Sequence, residues 1–270
     1  MTPKTLTCHV ESVEDLTADV FRVHLAGRRE AIAHAPGQYL ELKLDEDIWV
    51  PFSIANAHVD DGIIELHVQH WPERSNSARL REMLVQAAQL TVRLPNGGCV
   101  LDTQSRRPLT LIAAGTGFAQ MKAIVEAALA NEHPGPIRLW WAVKHPRDLY
   151  LESLALQWVA EHTHVEMHTV SEESDSGLST PPGVTRHVGR IDAVLAEVLG
   201  DVSGEDVYLS GSPGMVYACI DTLAPLGLDP ERVFSDVFAY APRVPLIPLP
   251  DDPAESVPLA PGERRAEDDA

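Results

Sequence analysis

The sequence predicts a two-domain chain, an antiparallel β-barrel followed by a parallel α/β domain, and three observations carry that prediction. Up to about residue 100, short runs of alternating apolar and polar residues are separated by turn signals. From Pro108 onward, strand-like runs alternate with longer helical periodicities, the rhythm of a parallel sheet. After Tyr240 both patterns stop. The expected divisions are a barrel over residues 1–103, an α/β domain over 104–240 and a tail over 241–270.

In the barrel half the runs are TLTCHVESV (5–13), DVFRVHLAG (19–27), GQYLELKL (37–44), GIIELHVQH (62–70) and QLTVRLP (89–95). Pro36-Gly37, Asp61-Gly62 and Asn96-Gly97 mark turns between them. One helix interrupts the strands, SNSARLREMLVQA (75–87), with Ser75, Asn76 or Ser77 as its N-cap. In the second half the strands are LTLIAA (109–114), IRLWWAV (137–143), HVEMHTV (164–170), DVYLSG (206–211) and RVFSDVF (232–238). The helical runs are FAQMKAIVEAALANEH (118–133), DLYLESLALQWVAEH (148–162), RIDAVLAEVL (190–199) and MVYACIDTLAPLG (215–227). The stretch EESDSGLSTPP (172–182) reads as a surface loop. The tail has seven prolines, seven acidic residues and three arginines in its thirty positions, too little apolar surface to offset ordering, and is expected to be disordered.

Composition removes several function classes. A net charge of -19 argues against nucleic acid and anionic membrane surfaces, which are held by clustered Lys and Arg. No apolar stretch reaches membrane-spanning length and the N-terminus lacks a signal-like apolar core, so a cytoplasmic location is expected. Cys8, Cys99 and Cys219 form no Cys-x-x-Cys pair, which excludes a zinc ribbon or iron–sulfur cluster built from these cysteines. His67 and His70 would point to opposite faces of a strand, and His164 and His168 lack a third ligand, so no metal is expected.

Two glycine-rich turns follow predicted strands and open helices. In LIAAGTGFAQMKAI, Gly115 and Gly117 permit a sharp turn and close backbone approach, and the helix N-terminus offers unpaired amides to a pyrophosphate. The third glycine of the usual dinucleotide fingerprint is missing, because Gln120 stands there. In YLSGSPGMV, Gly211, Ser212, Pro213 and Met215 make a second such turn, with Pro213 at a helix-starting position. The segment VPFSIA (50–55) adds a barrel strand with a hydroxyl, Ser53, among apolar neighbours.

The order PGQYLELKL, PFSIA, GIIELHV, capped helix, LIAAGTGF, YLSGSPGMV and a closing DVFAY resembles the ferredoxin reductase-type family, in particular its NAD(P)H:flavin reductase branch. That resemblance spans residues 5–240 and implies a barrel that binds a flavin and an α/β domain that brings a nicotinamide nucleotide to it. By position, Pro51, Phe52, Ser53 and Ile54 resemble the flavin-contacting strand, with the Ser53 hydroxyl near the flavin N5. His67 and Val68 resemble the next flavin strand, and Ser77 the hydroxyl residue near a flavin phosphate. Gly115, Thr116 and Gly117 resemble the nicotinamide turn, with Thr116 orienting the carboxamide side. Gly211, Ser212, Pro213 and Met215 resemble the second nucleotide turn, and Phe238 the closing aromatic. The family's arginine before the flavin-strand aromatic is Val50 here.

What the resemblance implies is hydride transfer from NADH or NADPH to FMN, riboflavin or FAD, with the flavin as a dissociable substrate. Two other functions fit the same fold: an FAD-containing reductase component that passes electrons to a separate ferredoxin or oxygenase, and a non-catalytic flavin or nucleotide sensor. Lys144, His145 and Arg147, after IRLWWAV, serve equally well as a site for a 2'-phosphate or as a solvated loop.

Overall fold

The computed structural model describes residues 2–57, 61–71, 75–173 and 180–243, without the side chains of 75–77. The expected disorder of the tail falls on 244–270, outside the described residues. Residues 241–243 are ordered against the body: Tyr217 donates its hydroxyl to Ala241 O at 2.8 Å, and Arg243 forms a paired contact with Asp221 at 2.6 and 2.7 Å.

Six strands make the first sheet: β1 (Lys4–Asp15), β2 (Val20–Ala26), β3 (Tyr39–Lys43), β4 (Trp49–Ser53), β5 (Ile63–Gln69) and β6 (Gln89–Asn96), in the order β4-β3-β6-β1-β2-β5. All its pairings are antiparallel. Just past β4, Ile54 bridges to Leu66 of β5, and Ala55 N donates to Glu65 O at 2.7 Å, so the two outer strands of that order meet and the sheet closes. Closure removes the exposed edges that would otherwise invite further pairing. Inward residues such as Phe21, Leu40, Leu42, Ile54, Leu66 and Val68 fill the core, and helix α1 (Ser75–Gln86) packs Leu80 and Leu84 against it.

The second sheet is wholly parallel: β7 (Leu109–Ala114), β8 (Ile137–Val143), β9 (Val165–Ser171), β10 (Val184–Val188), β11 (Asp206–Ser210) and β12 (Val233–Phe234), in the order β10-β9-β8-β7-β11-β12. Helices α2 (Phe118–Ala130) and α3 (Glu152–Glu161) cover one face, with Trp141 buried there. Helices α4 (Ile191–Val198) and α5 (Pro213–Leu223) cover the other, with Trp140. β7 and β11 are interior strands buried along nearly their whole length, which is why they read as mostly apolar runs.

Three elements depart from the sequence expectation. β10 was not anticipated, because VTRHV is a polar edge strand with one buried residue, Val184. The run 148–162 becomes helical only at Glu152, since Pro146 to Asp148 form a 3₁₀ turn first. The last strand stops at Phe234, and Val237–Tyr240 form a short helix, α6, because Asp236 turns its carboxylate inward to accept from Gly98 N and Cys99 N.

Candidate functional site

The chain runs outward from β7 through β8 and β9 to β10, then returns to β11 on the other side of β7. Such a reversal leaves a crevice at the carboxyl ends of the central strands, where ligands bind in open α/β sheets. A cavity of about 620 Å³ lies there. Both glycine turns border it, through Gly115, Thr116, Gly214 and Met215, and the barrel closes its other wall with Val20, Gln69 and Trp71.

The glycines do different work. Gly115 has φ +53° and nothing within 4 Å of where a Cβ would stand, so its turn is left-handed and its open side faces ligand space. A Cβ on Gly117 would fall 2.3 Å from Ser210 O, so this glycine is fixed by the close passage of the two turns. Gly211 packs its Cα side against Met215 and Ala114. No side chain caps α2; a 3₁₀ turn over Gly115–Gly117 extends its start and Phe118 N donates back to Gly115 O, so the amides of that turn, and not those of α2 itself, are the ones placed to meet an anion. Ser212 caps α5 by accepting from Met215 N at 3.3 Å, with Pro213 next in line, so these two residues have a complete structural role. Trp141 Nε1 donates to Gly115 O at 3.0 Å and its ring stacks on Phe118 at 3.7 Å, which holds the turn rigid.

On the barrel, Ser53 and Pro51 share a strand face with Tyr39 and Glu41, their partners on β3. Phe52 and Val50 lean against the barrel core and are half-buried. Ile54 and Val68 are fully inside it, so only their backbones can meet a ligand. The backbone of Ser77 lies in the first turn of α1. Tyr39 was missed by sequence reasoning, although its register opposite Ser53 was available from the alternation in GQYLELKL. Asp236 sits beside it: a Cβ on Gly97 would strike both the Asp236 carboxylate and the Tyr39 ring. Phe238, two residues on, is 38% exposed and tilts toward Tyr217. Ser53, Tyr39 and Asp236 thus adjoin, while Gly115, Thr116 and Met215 border the cavity.

Helix α2 joins these two groups. Gln120, 2% exposed, donates to Gly37 O at 2.5 Å and to Asp236 Oδ2 at 2.7 Å. Lys122, two residues on, donates to Ala55 O at 3.1 Å and pairs with Glu65 at 3.2 Å and Glu126 at 2.8 Å. Gln120 thus ties α2 to the turn before β3 and to Asp236, and Lys122 ties it to the continuation of β4 and to β5. The residue in place of the fingerprint's third glycine is therefore a brace between the sheets.

His67 belongs to the same junction. Its Nε2 donates to Glu65 Oε1 at 2.7 Å and its Nδ1 accepts from the Tyr150 hydroxyl at 3.0 Å. Burial lowers the imidazole's pKa, so the ring is neutral at pH 7, as this donor and acceptor pattern requires. Burial pushes Glu65 up, but the bond from His67 and the charge of Lys122 prevail and hold it at about 2. Burial drives the Tyr150 phenol well above its ordinary value. Tyr150 also lines the cavity, so a barrel histidine fixes part of the nucleotide-side wall. Among the described residues no group of three metal-ligating side chains occurs, and no helix is long and apolar enough to cross a membrane.

Residues 7–100 match an oxidoreductase FAD-binding domain and residues 111–221 an oxidoreductase NAD-binding domain. Reductase component 1 of terephthalate 1,2-dioxygenase from Comamonas sp is 32% identical over 76% of this chain, which spans only 60% of that protein's length. A probable flavin reductase from Vibrio harveyi is 28% identical over 87% of this chain and 100% of its own. An NAD(P)H-flavin reductase from Aliivibrio fischeri is 26% identical over 87% and 99%. Among solved structures, an Amycolatopsis cytochrome P450 reductase aligns with a TM-score of 0.72 and 28% identity over 87% of this chain and 69% of that one. The ferredoxin reductase in carbazole 1,9a-dioxygenase has the same fold, with a TM-score of 0.72 at 23% identity over 87% and 70%.

Proposed function

This chain belongs to the FAD- and NAD-binding oxidoreductases of the ferredoxin reductase-like family, and on that premise we propose that it is an NAD(P)H-dependent flavin reductase whose flavin binds and leaves as a substrate. The observation that carries the reading is the cavity at the chain reversal, bordered by both glycine turns and walled on one side by the barrel. The residues fit the two ligands: Gly115 opens toward the cavity, no side chain caps the Gly115–Gly117 turn that leads into α2, and Ser53 stands half-buried beside Tyr39 with no side-chain bond among the described residues.

When both are bound, nicotinamide and flavin supply the hydride chemistry themselves. The protein's part is alignment and exclusion of water. Ser53 offers its hydroxyl to the flavin N5, Pro51 and Tyr39 shape the ring's seat, and Phe52, whose side chain leans against the barrel core, contributes through its backbone. The backbones of Ile54, His67 and Val68 and the Ser77 helix start complete the barrel side, and Phe238 the far rim. Thr116 turns the nicotinamide carboxamide, while Gly117, Gly211, Ser212 and Pro213 fix the turns around it. The functional division falls at residues 103 and 104.

Loose flavin binding follows from the barrel's charges. Val50 packs inward where a cation would hold a phosphate, and Arg79 and Arg93 are already paired with Asp45 and Glu41. An exposed pair such as Arg79 with Asp45 is a weak restraint, and among the described residues neither Arg79 nor Arg93 is a preformed, unpaired phosphate clamp; Arg74 lies outside the described residues. Absorbance of the purified protein, followed by NADH and NADPH oxidation with riboflavin, FMN and FAD, tests the proposal. A pale protein whose turnover depends on added flavin and accepts riboflavin nearly as well as FMN is the expected result. Stoichiometric FAD surviving gel filtration would favour the second reading, a reductase component serving an oxygenase or ferredoxin, which the similarity to dioxygenase reductase components supports.

A further inference from the structure

Tyr150 touches the cavity, the glycine turn and the barrel at once. It lies just after the 3₁₀ turn Pro146–Asp148 that follows β8, is 9% exposed and lines the cavity. Its ring meets Trp141 and Phe118 edge-on, with centroids 5.2 and 5.9 Å away. Trp141 is the residue that holds Gly115 O, and Phe118 directly follows the Gly115–Gly117 turn. One side of Tyr150 is therefore packed on the group that carries the turn proposed for the nicotinamide.

Its hydroxyl is held from the other domain. His67, on the strand proposed for the flavin, stands edge-on to the Tyr150 ring at 5.2 Å and accepts from the hydroxyl at 3.0 Å. The proton positions follow from the partners. Glu65 is ionised, so its Oε1 can only accept, and His67 Nε2 is the donor to it at 2.7 Å. Nδ1 is left with a lone pair, which the Tyr150 O–H satisfies, and burial keeps that phenol protonated. Glu65 Oε2 in turn accepts from Lys122 at 3.2 Å, and the helix bearing Lys122 begins at Phe118. The contacts close into a ring, from Phe118 to Tyr150, His67, Glu65 and Lys122 and back along α2, that crosses between the two sheets twice.

Resting on the function proposed above, we infer that Tyr150 and His67 are a positioning pair whose hydrogen bond sets the spacing between β5 and the Gly115–Gly117 turn, and thereby governs the rate of hydride transfer rather than ligand affinity. A closed ring of packed and hydrogen-bonded groups resists any change in the distance between the elements it joins. Hydride transfer is sensitive to that distance: the reacting atoms must lie about 3–3.5 Å apart, and a misplacement of ~1 Å can cost about a hundredfold. The hydride carries its proton and both electrons together from nicotinamide to flavin, so the step asks no proton of Tyr150 or His67. Their contribution is geometric.

Tyr150→Phe keeps the ring contacts and deletes only the donor, His67→Leu deletes the acceptor, and His67→Asn restores an acceptor near the Nδ1 position. Two measurements are compared across these variants and the Tyr150→Phe/His67→Leu pair, with saturating FMN. One is the rate of flavin reduction in single-turnover mixing with NADH. The other needs no turnover: the long-wavelength charge-transfer absorbance of FMN stacked with tetrahydro-NADH, which cannot give up a hydride. Reduction should slow about tenfold in Tyr150→Phe and in His67→Leu, no further in the double variant, and recover in part in His67→Asn. The charge-transfer band should weaken in step, while dissociation constants for FMN and nucleotide stay unchanged. A Tyr150→Phe protein that melts lower but keeps the wild-type rate and band would make the pair a fastener between domains and overturn the inference. So would multiplied slowing in the double variant, or a solvent isotope effect that Tyr150→Phe abolishes, the mark of a proton path. If His67→Leu does not fold, the rate and band of Tyr150→Phe decide alone. A wild-type protein that oxidises neither nucleotide, yet shows a band that Tyr150→Phe weakens, keeps the positioning and loses the reductase function; absence of the band in the wild type overturns the inference.

Discussion

Two junctions hold the barrel to the parallel sheet, and they are built on opposite electrostatic principles. At one, Lys122 sits between Glu65 and Glu126, with His67 and Tyr150 closing the cluster. At the other, one carboxylate, Asp236, accepts from Gly98 N, Cys99 N and the Gln120 amide. The first depends on charge being present on both sides. The second works through hydrogen bonds that a neutral group can partly replace, and burial raises the Asp236 pKa where the partners of Glu65 depress its own. The difference teaches that side chains of one helix, Gln120 and Lys122, can brace two junctions between the same two sheets with unlike sensitivity to substitution and to pH.

Breaking the charged junction should have the largest effect. Lys122→Met leaves the buried Glu65 and the half-buried Glu126 without their cation and should cost about 3–5 kcal/mol in denaturant unfolding, as loss of one partner of a buried pair does. Adding Glu65→Gln to that variant should recover part of the loss; a single variant as stable as wild type would show that the cluster is solvated.

Gln120→Ala removes donors to a buried carbonyl and a buried carboxylate, and should cost about 1–3 kcal/mol. Because the same brace holds the helix that follows the Thr116 turn, kcat should fall by more than flavin affinity does. An equal fall in both would assign Gln120 to global stability alone.

The comparison sharpens under acid. Glu65 is depressed to about 2 in the fold, so its stabilisation is present above the ordinary carboxylate value of 4.5 and is lost as pH falls from there toward 2. Asp236 is raised from 3.8, so its term has the opposite sign: stability is greatest below that value and declines as pH rises through the folded pKa. Glu65→Gln should therefore flatten the acid limb of a stability profile, and Asp236→Asn should steepen it. Identical profiles for the two variants would contradict the opposed shifts.

Smallest of all, Thr116→Val should leave both junctions intact and slow turnover by the loss of about one hydrogen bond, roughly 0.5–1.5 kcal/mol in kcat/KM. Unchanged kinetics with both nucleotides would remove Thr116 from the site. Ser53→Ala is its barrel counterpart and should lower rate without lowering melting temperature.

Much of the architecture was legible because each sheet's burial writes its own period. β7 and β11, covered on both faces, appear as mostly apolar runs, and the barrel strands as alternations. β10 was illegible because an edge strand with Thr185, Arg186 and His187 has no such period. The turns at Gly115 and Gly211 were found from their glycines, but the braces were not. Nothing local in FAQMK reveals that Gln120 and Lys122 point into another sheet, since a buried polar side chain on a helix takes its meaning from partners 83 or 57 residues away. His67 is similar: the alternation places it outward from the barrel, and only the docking of Tyr150 makes that outside an interior.

The hydrogen bond from Trp141 to Gly115 O gives the turn an optical consequence. Of the five tryptophans, Trp141 is the one whose indole N–H is bonded to the turn bordering the cavity, and its ring is stacked on Phe118 and edge-on to Tyr150. Its emission responds to the polarity and hydrogen bonding at that carbonyl, and a reduced nicotinamide in the cavity would overlap that emission and quench it by energy transfer. The protein thus holds a built-in fluorophore for occupancy of the nucleotide site, whose share of the quenching Trp141→Phe would remove while that of Trp71 in the cavity wall would stay.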